Sequence, residues 1–77
     1  MPFLYKKLIY ILKTSFPNGV ITLTDLTGCS VQYDLHIISS LFNNLNALEQ
    51  HRLVYKVLDT FIKNHIHALS LTTTQNL

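Results

Sequence analysis

The sequence predicts a two-layer α+β domain with elements in the order α-β-β-α-α-β. Three observations predict it. Apolar residues recur at helical spacing over residues 3–15, and the period shortens to two from Val20 to Ile37. Helical spacing then returns from Ala47, before a last short alternation over residues 66–72.

In the first helix, Leu4, Leu8, Ile11, Leu12 and Ser15 share one side, and Lys6, Tyr10 and Lys13 lie opposite. Phe16-Pro17-Asn18-Gly19 ends it, because Pro17 disfavours helix at Phe16 and Asn-Gly favours a turn. The first strand is β-branched and ends near Asp25. Thr27-Gly28-Cys29-Ser30 forms a turn, and a second strand alternates from Val31 to Ile37. So short a connection makes the pair antiparallel. On this parity His36 belongs to the polar, exposed face.

Ser39-Ser40-Leu41-Phe42 reads as one helical turn, broken by Asn43-Asn44. Asn46 suits an N-cap, with Glu49 three residues on. The helix from Ala47 to Asn64 carries His51, Val54, Tyr55, Leu58 and Ile62 along its apolar stripe. His51 is therefore expected to be buried and hydrogen-bonded. A third strand over 66–72 places His67, Leu69 and Leu71 on one side, and residues 73–77 read as a frayed tail. The second and third strands are joined through a helix, which predicts parallel pairing with a right-handed crossover. The expected core is Leu8, Leu23, Leu35, Val54, Leu58 and Leu69.

Seventy-seven residues suit one domain, here residues 1–77, with a modest core. A single cysteine excludes an internal disulfide and fits a reducing, cytoplasmic setting. The apolar run near the N-terminus is short, is ended by Lys13 and lacks a small-residue cleavage site, so a signal peptide is not expected. No segment approaches the ~20 apolar residues of a membrane span. The net charge of +2 is a weak attraction for nucleic acid.

Two residues carry most of the chemistry. Cys29 lies in the predicted turn just before the second strand, and His67 near the start of the third. If those strands are parallel neighbours, thiolate and imidazole reach one end of the sheet. The pair suits zinc, copper or the iron of an iron–sulfur cluster. Two ligands complete neither a tetrahedral zinc site nor a cluster, so any metal site must be shared with a partner.

Each residue has a plainer reading. A lone cysteine is commonly an inert small hydrophobe, and His67 suits a core-edge histidine bonded to a backbone carbonyl. Arg52, the only arginine, suits either a solvated charge or a phosphate or partner contact. His65 lies near a helix C-terminus, where a cation is favoured. Enzyme readings fare badly: the sequence has no recognisable nucleophile elbow, phosphate-cradling glycine loop or paired-carboxylate pattern.

Four blocks resemble the BolA-like family. They are Asp25-Leu26-Thr27-Gly28-Cys29, the Ser39…Phe42 turn, Gln50-His51-Arg52-Leu53-Val54-Tyr55, and Ile66-His67-Ala68-Leu69. Their order and spacing agree with the family over about residues 20–73. Asn44 stands where glycine usually follows the Phe42 turn, a change that preserves access to positive φ. The loop before Cys29 is one glycine short of the common pattern. Gln50 stands where arginine is common and a usual C-terminal proline is missing, which implies a less basic surface.

The resemblance implies a class II KH-like fold with a three-stranded mixed sheet. It implies a monothiol glutaredoxin as partner, with a bridging 2Fe–2S cluster and glutathione. Carried over residue by residue, His67 is the closing-strand ligand and Cys29 the loop ligand. His51, Phe42 and Asn44 belong to the structural signature. The competing function is DNA binding by a transcriptional regulator. There Arg52, Lys56 and Lys63, with Lys6, Lys7 and Lys13, would meet phosphates and affinity would fall steeply with salt. The only glycines, Gly19 and Gly28, cannot form the G-x-x-G loop of an RNA clamp.

Overall fold

A computed structural model describes residues 3–26, 32–64 and 68–76. Helix α1 spans Phe3–Ser15, strand β1 Val20–Asp25 and strand β2 Gln32–Ser39. A 3₁₀ turn, Ser40–Phe42, leads to helix α2, Ala47–Asn64, and strand β3 is Ala68–Gln75. Among the described residues the sheet has three strands in the order β1-β2-β3. β1 pairs antiparallel with β2, and β2 pairs parallel with β3.

Both helices cover one face of the sheet. Alternation decides which: Tyr33, Leu35 and Ile37 of β2 are fully buried and meet Leu8, Leu12, Phe16, Val54 and Leu58. Leu23 joins them from β1, and Leu69 and Leu71 of β3 pack half-buried against the cluster. The opposite face carries Thr22, Thr24, Asp34, His36, Ser70, Thr72 and Thr74, placed there by the strand register. His36 lies on that face, half-buried, with its Nε2 3.0 Å from Thr74 Oγ1.

Local chemistry sets the boundaries. The backbone N–H of Phe16 donates to the Leu12 carbonyl at 2.8 Å, and Pro17 follows where the helix stops. Gly19 passes close to β2: a Cβ there would lie 3.0 Å from the Ile38 carbonyl oxygen. The absence of a side chain lets the turn close onto the sheet. Asn44 takes φ 69°, the left-handed conformation that asparagine tolerates. Asn46 and Glu49 form a reciprocal capping box. The Glu49 N–H donates to Asn46 Oδ1 at 2.8 Å, and the Asn46 N–H donates to Glu49 Oε1 at 3.0 Å.

The C-terminal segment departs from the expected frayed tail. β3 continues through Gln75, with Thr73, Thr74 and Gln75 in register with Ile37, Ile38 and Ser39. β2 itself runs to Ser39, two residues past the expected end, and offers β3 a longer edge to pair with. The polar composition of Thr73-Thr74-Gln75 suggests a tail, but threonine is β-branched and both side chains are held. Thr73 Oγ1 donates to Gln50 Oε1 at 2.6 Å, and Thr74 Oγ1 meets His36.

Tyr33 is fully buried, yet its hydroxyl finds no hydrogen-bond partner among the described residues. A buried hydroxyl without a partner forfeits its bonds to water, at a cost of about 1–3 kcal/mol. Tyr33→Phe keeps the ring and removes that cost. Chemical denaturation of the variant should show stability equal to or up to about 1 kcal/mol above the parent. A loss of similar size would mean that the hydroxyl is satisfied in solution.

Candidate functional site

The sheet brings two chain segments to one end. β1 ends at Asp25, and a further rung, the Leu26 N–H to the Gln32 carbonyl at 2.9 Å, closes the hairpin around residues 27–31. β2 starts at Gln32 and β3 at Ala68, and these two residues are register partners in the parallel pair. Adjacent strands lie ~4.8 Å apart. Gln32 and Ala68, the residues at which the chain enters β2 and β3, therefore lie side by side. Cys29, His65 and His67 lie outside the described residues, so their expected placement stands at the level of these attachment points. A β3 antiparallel to β2 would have put the two segments at opposite ends of the sheet.

The same end gathers three more elements. α2 ends there at Asn64, one residue before the second segment. Tyr5, near the start of α1, donates its hydroxyl to the Leu23 carbonyl at 2.9 Å and ties α1 to the late part of β1. Asp25 sits half-buried opposite Tyr33 on the helix-covered face. Among the described residues no three of His, Cys, Asp and Glu gather as a metal-binding group. A small cavity of about 160 Å³, lined by Pro17, Asn18, Ser39, Ser40 and Leu41, lies at the other end of the sheet.

The structure places the remaining candidate residues on α2 and before it. Arg52, Lys56 and Lys63 are exposed on the outer side of the helix. Lys63 Nζ lies 3.3 Å from Asp59 Oδ2 one turn earlier, so that cation is partly neutralised. Lys6, Lys7 and Lys13 are exposed on α1. Phe42 is fully buried, with its ring centroid 5.4 Å from that of Phe16.

The buried stripe of α2 differs from the expected one. It runs through Gln50, Val54 and Leu58, one position round the helix from His51. Tyr55, expected inside, is 39% exposed. His51 is half-buried, and its ring makes no hydrogen bond among the described residues. The buried polar role falls to Gln50, 6% exposed, so the inferred surface position of Gln50 is also corrected. Its Nε2 donates to the Leu45 carbonyl at 2.9 Å, with the Phe42 carbonyl at 3.5 Å, and its Oε1 accepts from Thr73. Gln50 thus pins β3 to the connection before α2. The signal was present in the i, i+4, i+8 spacing of Gln50, Val54 and Leu58, but a glutamine does not announce a core position.

This difference is measurable. Gln50→Ala should cost about 1–3 kcal/mol, because it strands the buried partners of a three-way bond. His51→Ala should cost less than about 1 kcal/mol, since it removes only partial burial. Urea denaturation of the two variants in parallel checks the order, and a larger loss at His51 would return the structural role to the histidine.

A BolA-like protein family model matches residues 9–76. The chain belongs to the BolA-like family. RP812, an uncharacterized protein of Rickettsia prowazekii, is 41% identical over 63 residues, which cover 82% of each protein. Its NMR structure aligns over the whole of both chains with a TM-score of 0.71. The solution structure of yeast Fra2 is 26% identical, with a TM-score of 0.76 over 97% of this chain and 82% of that one. The BolA domain of SufE1 from Arabidopsis thaliana reaches a TM-score of 0.89 over 97% of this chain and 94% of that one. At 20% identity this last likeness concerns the fold alone. The two helices and the mixed sheet are the architecture of the family. Among the described residues no helix is long and apolar enough to cross a membrane.

Proposed function

We propose that this chain is an adaptor in iron–sulfur cluster trafficking. It shares a 2Fe–2S cluster, as cargo, with a monothiol glutaredoxin. Cys29 and His67 are the ligands it contributes; the glutaredoxin cysteine and glutathione supply the others. The observation that carries this reading is the parallel register of Gln32 with Ala68, which joins both ligand-bearing segments to one end of the sheet. Family membership supports it, as does the likeness to yeast Fra2. The donor set fits as well: one soft thiolate and one imidazole suit cluster iron and leave its coordination incomplete. A half-site of this kind hands its cargo on and catalyses no bond change in it.

Reconstitution tests the reading. The purified chain is mixed with a monothiol glutaredoxin, iron, sulfide and glutathione. The expected product is a coloured heterodimer whose visible absorption and circular dichroism differ from those of the glutaredoxin homodimer. The chain alone should acquire no colour. A mixture that gives only the homodimer spectrum would exclude the shared cluster. Binding to DNA of defined sequence that persists at physiological salt would favour the regulator instead.

A further inference from the structure

β1 and β3 are the two edges of the sheet, and they are protected differently. On β1, Tyr5 of α1 covers the Leu23 carbonyl, and the strand ends on a charge at Asp25. β3 reads Ala-Leu-Ser-Leu-Thr-Thr-Thr-Gln, with no charge and no proline. Its register with β2 is unbroken from Ala68 to Gln75, so no bulge turns the edge away. Among the described residues no hydrogen bond outside the β2–β3 ladder reaches its backbone. Natural edge strands are blunted by lysine, proline, bulges or short length, and β3 uses none of these.

We propose that β3 is a docking edge for a second copy of this chain. The two β3 strands pair antiparallel about a twofold axis and make one continuous sheet across the dimer. Self-pairing fits the parity of the strand. Leu69, Leu71 and Thr73 face the helices, whereas Ser70, Thr72 and Thr74 face outwards. An axis at Thr72 sets Ser70 opposite Thr74 of the partner subunit, and Leu71 opposite Thr73 of the partner subunit. Every such pair keeps its face, as antiparallel register requires. β-Branched and hydroxyl pairs are favourable across strands, and no like charges meet. Main-chain hydrogen bonds along the edge supply the affinity, and the side-chain pairs set the register. The closed twofold limits assembly to a dimer. The pairing centres on Thr72 and needs no glutaredoxin.

Sedimentation equilibrium of the full chain over a concentration series tests the proposal, with amide hydrogen exchange alongside. The chain should dimerise reversibly, and exchange protection within residues 69–75 should rise with concentration. Thr72 is exposed, and Thr72→Lys places two ammonium groups face to face on the axis. It should weaken the dimer about tenfold or more while retaining the circular dichroism of the fold. If that variant fails to fold, the concentration dependence of wild-type exchange decides alone. A chain that stays monomeric up to about 1 mM overturns the proposal, since any useful affinity would show by then. So does a dimer with no concentration-dependent protection in β3. An extended peptide of unrelated sequence that protects β3 of a strictly monomeric chain would also exclude the second copy as occupant.

Discussion

Phe42→Ala should destabilise the domain by about 3–5 kcal/mol, the range for deleting a buried aromatic ring. A domain of this size has on the order of 4–12 kcal/mol in total, so the variant should be marginal at room temperature. Phe42 earns this expectation by position. It ends the 3₁₀ turn that follows β2, it is fully buried, and its ring meets Phe16 at a tilt of 52°. Phe16 belongs to the turn between α1 and β1, so one aromatic contact joins two crossings at the same end of the sheet. Ser39 fixes the approach, since its Oγ accepts from the Leu41 N–H at 3.1 Å. Phe42 belongs to the buried cluster with Phe16, and the surroundings of a deleted core side chain relax only partly into the space left. Equilibrium urea unfolding checks the figure. A loss under about 1 kcal/mol would mean that the turns hold without the aromatic pair.

Most of the fold was legible because its periods are clean. The stripe of Leu8 and Leu12, and the alternation of Tyr33, Leu35 and Ile37, each assign a face without reference to the rest of the chain. The capping box at Asn46 and Glu49 and the positive φ of Asn44 are local chemistry, and they appear where the residue types indicate. Two features depended on distant partners. Thr73 to Gln75 are polar enough to fray alone, and only the extended β2 and the Gln50 and His36 side chains recruit them. The stripe of α2 is ambiguous by one position, because His51, Val54 and Leu58 and Gln50, Val54 and Leu58 both suit a helical face. The choice rests on what waits beneath: carbonyls at Phe42 and Leu45 and a hydroxyl at Thr73 need a side chain that both donates and accepts.

The candidate site was legible in a different sense. Ligand chemistry can be read from Cys29 and His67 as residue types, but 38 positions separate them in sequence. Strand direction decides whether the segments that precede β2 and β3 join the same end of the sheet, and the parallel pair starts Gln32 and Ala68 at one end. The Tyr5 bond to Leu23 and the unpartnered hydroxyl of Tyr33 left no sequence signal, because a tyrosine's ring satisfies the hydrophobic pattern whatever its hydroxyl does.

His67→Ala should abolish the spectral difference between the reconstituted mixture and the glutaredoxin homodimer. The reason lies in how few ligands the proposed half-site has. With only Cys29 and His67 contributed, removing one leaves an iron without its full set. Cys29→Ala should act more gently, making the shared cluster weaker or more labile. Its loop is one glycine short of the pattern common in the family, so the match that assigns Cys29 is less complete than the one that assigns His67. Both variants should keep the melting midpoint of the parent within a few degrees, as the proposed role of each residue is ligation and not packing. Visible circular dichroism of the mixtures reads ligation, and size-exclusion chromatography of the same samples reads association. A wild-type spectrum and cluster lifetime in both variants would remove these residues from the ligand set even if the two proteins still bound each other. A lost spectrum with retained association would separate cluster ligation from docking and locate ligation at the start of β3.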